Sequence, residues 1–440
     1  MHFVATTVAI LSLAIWFYLA SARGNFWRVQ DFDDDNAKHE PPATWPTVVA
    51  IVPARNESLT IGQCVTSLLQ QNYPGQFSVI VVDDHSEDAT AEIAKRAARN
   101  LQAESRFTIL EASPLPKGWT GKLWALNTGT ATLGCAPTTS ISPGPQTASR
   151  TDAINNPTPN LPPTYFWFTD ADIVHAPDTL HRLVSRAEHD HLDLTSLMVL
   201  LQAKTLPERA LIPAFLFFFL KLYPPSWIAN PQSRTAGAAG GCILLRSEAL
   251  QRIGGFAAIR SEVIDDCALA RAVKAAQPSL ERVGQPPLAV LRRTPRRTMH
   301  SPVPDHPTPL WMGLTRSSIS LRSYSTFAEI RDLIARTAYT QLRYSPLLLL
   351  TTIAAMFLIY VAPILLLFAP NPTPRILAAS TWLLMSLVYL PTIRFYRLNL
   401  AWAATLPLTA LFYSYATFLS AARYYLGRGA QWKGRSQANR

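Results

Sequence analysis

The sequence predicts an α/β domain built on a mainly parallel sheet, with an N-terminal membrane anchor and membrane helices at its C-terminal end. Three observations carry this. Apolar runs of strand length alternate with segments spaced as helices, acidic residues follow directly on those runs, and long uncharged stretches stand at both ends of the 440 residues. Apolar residues make up 48% of the chain, but they crowd into Phe3–Ala20 and the region after Pro346, leaving a mixed centre.

Phe3–Ala20 carries no charge and as a helix would cover about 27 Å, enough to cross a bilayer. Ala20-Ser21-Ala22 also resembles a signal-peptide cleavage site. Arg23 and Arg28 follow the run and no Lys or Arg precedes it, which favours a retained anchor with the remainder of the chain in the cytoplasm. Residues 1–22 are thus read as the anchor and 23–45 as an acidic, Pro-stiffened linker.

A catalytic domain is expected over 46–300. Val48–Val52 reads as a buried strand, Ile61 to Leu69 as a helix closed by Asn72-Tyr73-Pro74-Gly75, and Phe77–Val82 as a second strand. A helix around Ile93–Ala98, a strand at Phe107–Leu110, a helix from Gly121 and a strand at Tyr165–Thr169 continue the pattern. Strands buried on both faces and separated by helices imply a parallel sheet, which binds ligands beyond its strands' carboxyl ends. Residues 134–163, rich in Pro, Ser, Thr and Asn, read as a surface insertion.

Ala210–Tyr223 is apolar but short for a span, leaving a buried core helix or a helix in the bilayer interface. The region 301–345 is read as interfacial, with Arg316–Tyr344 as an amphipathic helix. Within 346–425, Leu347–Ala369, Ile376–Ile393 and Leu398–Ala421 are span candidates. Three crossings would put the basic tail, 426–440, outside, so Leu398–Ala421, broken by Pro407, is the segment expected to be re-entrant or interfacial.

The formal charge is +11, from 40 basic and 29 acidic residues. Because the basic clusters border apolar stretches, anionic headgroups explain them better than nucleic acid, which is not expected as a partner. Cys64, Cys135, Cys242 and Cys267 are widely spaced and form no C-x-x-C pair, so neither a zinc site nor a disulfide framework follows.

Four acidic clusters hold the candidate chemistry. They are Pro53-Ala54-Arg55-Asn56-Glu57, Asp83-Asp84-His85-Ser86, Asp170-Ala171-Asp172, and Glu262 with Asp265-Asp266. Carboxylates gathered at strand ends can accept from a base and ribose, offer a divalent cation hard oxygen ligands, or serve as a general base. Strand alternation sends Asp170 and Asp172 to one side. Asp265 and Asp266 are adjacent, and crowding raises carboxylate pKa values toward neutrality. Each cluster has a plainer reading as well: turn and cap residues for Asp83, Asp84, Asp170 and Asp172, first-turn acid for Glu57, and a polar helix start for the last pair. Lys122 lies near a helix start, where it reaches a phosphate or stays solvated. Gly240-Gly241 marks either close backbone approach or a tight turn.

The ordered set PARNE, VVDDHSEDAT, GKLWALNTG, FTDADI, GGCILLRSEAL and IDDCALARAV resembles family 2 glycosyltransferases of the GT-A (nucleotide-diphospho-sugar transferase) fold. With RTAYTQLRYS and the apolar C-terminus, it resembles the hopanoid-biosynthesis-associated branch. The resemblance implies an inverting transferase that takes a sugar from a nucleotide-sugar donor with Mg²⁺ or Mn²⁺ and passes it to a lipid acceptor at the bilayer. The setting it implies is the bacterial inner membrane, with the catalytic domain cytoplasmic.

Carried over by position, Pro53, Arg55, Glu57, Asp84, Lys122 and Asp170 fall at the donor, with Asp84 toward the base. Asp172 is the principal metal ligand with Asp170 its partner, and Asp266 is the catalytic base beside Asp265. Processive synthases carry a Q-x-x-R-W-like motif. Here Gln341-Leu342-Arg343-Tyr344 is one residue short and ends in Tyr, which favours transfer of one sugar over polymerisation; a processive polysaccharide synthase is the alternative. Trp432-Lys433-Gly434-Arg435 resembles a tail element of related transferases.

Overall fold

A computed structural model describes residues 2–29, 32, 39–134, 163–276 and 310–427, and the backbone of 431–432 and 435–436. The 134–163 insertion (apart from Gly134 and Pro163), Cys135, most of the acidic linker and the arginines at 292–297 lie outside the described residues.

The elements run in the order α1 (His2–Ser21), β1 (Val48–Ala54), α2 (Ile61–Leu69), β2 (Phe77–Asp83), α3 (Thr90–Asn100), β3 (Phe107–Glu111), α4 (Gly121–Ala131), β4 (Tyr165–Phe168), β5 (Ile173–Val174), α5 (Thr179–His189) and β6 (Leu194–Leu200). There follow α6 (Leu206–Leu222), α7 (Pro225–Ala229), β7 (Ile243–Arg246), α8 (Ser247–Arg252), α9 (Asp265–Ala275), β8 (Leu310–Ser320), α10 (Phe327–Ala335) and α11 (Ala338–Gln341). The chain ends in α12 (Pro346–Met356), α13 (Ala362–Leu366), α14 (Pro372–Phe395), α15 (Leu406–Tyr425) and a short hairpin of β9 (Gln431–Trp432) and β10 (Arg435–Ser436).

Among the described residues, eight strands form one sheet in the order β3-β2-β1-β4-β7-β6-β8-β5. The half from β3 to β4 is wholly parallel, as expected. The other half is mixed: β7 runs antiparallel to both β4 and β6, and β8 is parallel to β6. Alternation along β1 explains why every residue in it is buried. Val48, Ala50 and Val52 point into a core shared with α2, α3 and α5. Val49 and Ile51 point into a second core, shared with α4, α6 and α9 and continuous with α14 and α15. Helix α4 lies so near the sheet that a Cβ on Gly129 would come within 2.8 Å of Ile51. A helix-interior glycine, unfavourable by propensity, is required there by close packing.

The sheet corrects one expectation. Leu310–Ser320 is a strand, so Arg316–Ser320 does not belong to an amphipathic helix, and the sheet reaches into the region read as interfacial from 301. Helix begins only at Phe327, where Thr326 and Glu329 form a capping box. The strand is legible only beside β6, its partner more than a hundred residues earlier in the chain.

Among the described residues, four helices are long and apolar enough to cross a membrane: Phe3–Ser21, Leu206–Ala229, Pro346–Leu366 and Pro372–Phe395. The second takes in Ala210–Tyr223, read from sequence as too short; Tyr223-Pro224 breaks it into α6 and α7. Helix α6 packs against α10, α14 and α15, with Thr409 and Tyr413 donating to the carbonyls of Ala210 and Leu211. Helix α15 follows a 3₁₀ turn at Leu400–Thr405 and is not among the four.

Helix α1 is tied to this assembly at one carbonyl, that of Ile359, which both Ser12 and Trp16 reach. Pro363 has no N–H, so the carbonyl four residues earlier, that of Ile359, loses its helical donor and the helix widens into a π-turn over Phe357–Val361. Trp16 of α1, fully buried, donates its indole N–H to that oxygen at 2.9 Å. Trp16→Phe, which keeps the ring and removes the donor, is expected to cost about 1–3 kcal/mol, measured as earlier thermal unfolding in detergent.

Candidate active site

The carboxyl ends of β2, β1 and β4 lie side by side, and each delivers one acidic cluster to the same edge. Asp84 stands at the end of β2 and Asp170 and Asp172 just past β4. The two ends are separated by β1, about 10 Å at the usual strand spacing. That is the scale of a nucleotide.

The loops after β1 and β2 are laced together. Asp83 accepts from the Ser86 amide at 3.0 Å, and Asp88 accepts from the amides of Thr90 and Ser58, so these two take the turn and cap duties. Asp84 is fully buried, and its amide bonds the Ala54 carbonyl. Arg55, expected at a donor, is engaged with the carbonyls of Asp84 (2.5 Å) and His85 (3.1 Å) and with Glu87 (3.6 Å), so it braces the loop. Glu57 accepts from the Thr60 hydroxyl and lies close enough to Asp172 to act on its charge.

Asp172 is held at its carbonyl by the Leu321 amide (2.7 Å) and reached at its carboxylate by the Ser320 hydroxyl (3.4 Å). Burial, with Asp170 and Glu57 nearby, pushes it up to about 6. Two neighbouring carboxylates offering only hard oxygens fit a divalent cation. Thr169, just before them, is anchored by a buried network. Its hydroxyl donates to the Gly241 carbonyl (2.9 Å) and so accepts from His175 Nε2 (2.9 Å), leaving Nδ1 to accept from Ser318 (2.8 Å). Burial holds His175 neutral, down at about 3.

Lys122 joins the site's two halves. It sits one residue inside α4, whose start is capped by Thr120, and its Nζ lies 2.7 Å from Asp170 and 3.4 Å from Asp265. Burial alone would lower its pKa, but the two aspartates outweigh that and hold it charged, above the ordinary lysine range. Asp266 follows at the start of α9. It accepts from the Gly240 amide at Oδ2 (2.9 Å) and from the Cys267 amide at Oδ1 (2.7 Å). Burial and Asp265 raise it to about 6, against the pull of Lys122. A Cβ on Gly240 would stand 3.2 Å from Lys122 Nζ, so close approach, and not merely a turn, is what this glycine provides. Phe168, Pro53 and Phe256 complete the walls.

The late motif lies elsewhere. Gln341 donates to the Tyr223 hydroxyl (2.7 Å) and Tyr344 stacks on Tyr424, while Arg343 and Tyr344 both adopt positive φ. Sequence reading missed the Gly240 amide, the Thr169–His175–Ser318 network and Ser320. Of these only Gly240 carried a signal, as half of a Gly-Gly pair before a strand.

A separate group, His39, His189 and Asp190, is close enough to share a metal ion. It lies at the opposite end of the sheet, just before β6, so it bears on no metal at Asp172.

Residues 46–280, more than half of the chain, match the family model described as "Glycosyltransferase like family 2". The chain belongs to this family. Its α/β domain is GT-A-like, with a mixed, largely parallel sheet and candidate membrane-spanning helices toward both ends. An N-acetylglucosaminyltransferase of Rhizobium leguminosarum bv. viciae is 41% identical over 66 residues, 15% of this chain and 16% of that protein. The probable glycosyltransferase YdaM of Bacillus subtilis is 27% identical over 127 residues, 28% and 29% of the two chains. The chain thus spans less than a third of the length of these curated relatives. Among solved structures, the mannosyltransferase PcManGT from Pyrobaculum calidifontis, in complex with GDP-Man and Mn²⁺, aligns over 96% of this chain and 99% of its own with a TM-score of 0.49 and 17% identity.

Proposed function

We propose that this family 2 glycosyltransferase moves a single sugar, with inversion, from a nucleotide-diphosphate-sugar to a lipid acceptor in the bacterial inner membrane. Its catalytic domain faces the cytoplasm, and a hopanoid-type lipid is the acceptor its sequence resemblance favours. The observation that carries the reading is the Lys122 bridge, which brings the Asp170–Asp172 pair and the Asp265–Asp266 pair to one cleft. The leaving diphosphate and the base must flank one anomeric carbon, the base within hydrogen-bond reach of the hydroxyl that attacks it.

In this reading the base and ribose lie along Asp84 and Glu57, and the diphosphate reaches β4. Asp172, with Asp170, would hold Mg²⁺ or Mn²⁺, which when bound neutralises charge building on the departing diphosphate. Lys122, already charged between two aspartates, swings to a phosphate oxygen as the donor enters. Asp266 takes the proton of the acceptor hydroxyl while that oxygen attacks the anomeric carbon from the face opposite the leaving group, and inversion follows. In this reading the candidate spans hold the cleft at the bilayer surface, where a lipid hydroxyl is available; their length and apolar composition support it. In domain terms the catalytic unit begins at 46 and takes in β8, with 1–22 as anchor and 346–425 as the membrane part.

The test uses membranes containing the full chain, incubated with Mn²⁺ and with UDP-N-acetylglucosamine, UDP-glucose or GDP-mannose in turn. Mass spectrometry of the extracted lipids should show one added hexose or N-acetylhexosamine. A ladder of masses would identify a processive synthase instead. Membranes whose lipids gain no sugar from any of these donors would overturn the proposal.

A further inference from the structure

The late motif and the base are joined by one side chain that neither the resemblance nor the mechanism uses. Tyr223 ends α6, is 9% exposed, and faces two ways. Its hydroxyl accepts from Gln341 Nε2 at 2.7 Å and lies close enough to Cys267 for the two groups to act on each other's charge. Its ring lies against Gly237, where a Cβ would come within 3.0 Å. Cys267 in turn reaches the Ala238 carbonyl through its thiol (3.7 Å), and its own amide holds Asp266 Oδ1. Gly240, three residues past Gly237, holds Oδ2. Tyr223 therefore touches both segments that fix the Asp266 carboxylate.

Gln341 is equally committed on its other side. It closes α11, where the Tyr339 amide bonds Ser420 of α15, the Ser420 hydroxyl bonds the Ala335 carbonyl of α10, and the Tyr339 and Tyr425 hydroxyls meet at 2.9 Å. A path of hydrogen bonds from α15, beside the candidate spans, thus reaches Tyr223, and the packing of its ring on Gly237 carries it to the groups around Asp266.

We propose that Tyr223 and Gln341 are a positioning pair that aims the Asp266 carboxylate at the acceptor, so that the seating of the membrane helices governs how well the base works. This rests on Asp266 being the base. Neither residue touches substrate. The pair holds Cys267 and the 237–240 turn in register, and a carboxylate fixed at both oxygens by backbone amides follows those amides wherever they go. A base must stand within hydrogen-bond reach of the proton it removes, so a small shift of the two amides costs rate while leaving the nucleotide end of the cleft untouched.

Tyr223→Phe keeps the ring on Gly237 and removes only the hydroxyl; Gln341→Leu keeps the volume and removes the donor. With the membrane assay and the nucleotide-sugar that labels wild type, each variant should lower kcat about tenfold or more, with KM for donor and for Mn²⁺ within about twofold of wild type. The double variant should be no worse than the weaker single one, because both break one chain of contacts. Wild-type kcat in Tyr223→Phe, a rise in donor KM matching the fall in kcat, or multiplying effects in the double variant would each overturn the pairing. Failure of the underlying reading looks different: Asp266→Asn would then transfer sugar as well as wild type.

Discussion

Asp266→Asn is expected to lower sugar transfer by about a hundred- to ten-thousandfold, the span that positioned general bases contribute, while donor binding stays near wild type. The amide side chain is almost isosteric and its oxygen can still accept one of the two backbone bonds, so the fold should survive. What is lost is the proton acceptor. The wild-type pH profile follows from the same group. A base works deprotonated, and burial with Asp265 beside it raises Asp266 to about 6. Transfer at saturating donor should therefore fall as pH drops through about 6, approaching tenfold per unit below it, and the residual activity of Asp266→Asn should lack that limb. Saturating Mn²⁺ is needed in this titration, because Asp172 also stands at about 6 and protons would otherwise compete with the cation. An unchanged acid limb in Asp266→Asn would move the base elsewhere.

Asp172→Asn is expected to lower transfer by about a thousandfold, in keeping with the several kcal/mol a cation supplies to a departing diphosphate. Here the loss should appear in binding too. Calorimetric titration with UDP or GDP should show Mn²⁺-dependent binding in wild type that Asp172→Asn loses, while metal-free binding through the Asp84 end is unchanged. Asp170→Asn should be milder, because Lys122 loses one of its two partners and Asp172 keeps its carboxylate. Equal Mn²⁺-dependent affinity in wild type and Asp172→Asn would remove Asp172 as the metal ligand.

Much of the site was legible because parallel strands buried on both faces announce themselves as uninterrupted apolar runs. Val48–Ala54, Phe77–Asp83 and Tyr165–Phe168 end where the sequence turns abruptly acidic. Lys122 was legible only as a choice between phosphate and solvent, because nothing local shows that Asp170 and Asp265, 48 and 143 positions away, converge on it. Arg55 was assigned to a donor since it stands in a strand-end motif. Its nearest partners, the carbonyls of Asp84 and His85, are backbone atoms and leave no mark in a sequence. Leu310–Ser320 was missed for a related reason. Mixed apolar and polar residues with an arginine suit an amphipathic helix as well as a strand, and the choice is made by β6.

By itself, then, the sequence determined which segments are apolar on one face, both faces or all around, and where carboxylates interrupt them. Those are properties of neighbours along the chain, and they suffice for an α/β domain flanked by apolar helices. Tertiary structure alone decided that a lysine bridges two acidic pairs, that Gly240 and Cys267 grip Asp266, and that Tyr223 reaches Gln341. Such contacts join residues far apart in the chain. They depend on close approach and on which hydrogen-bonding groups folding leaves without water, and neither is set until the chain has closed on itself.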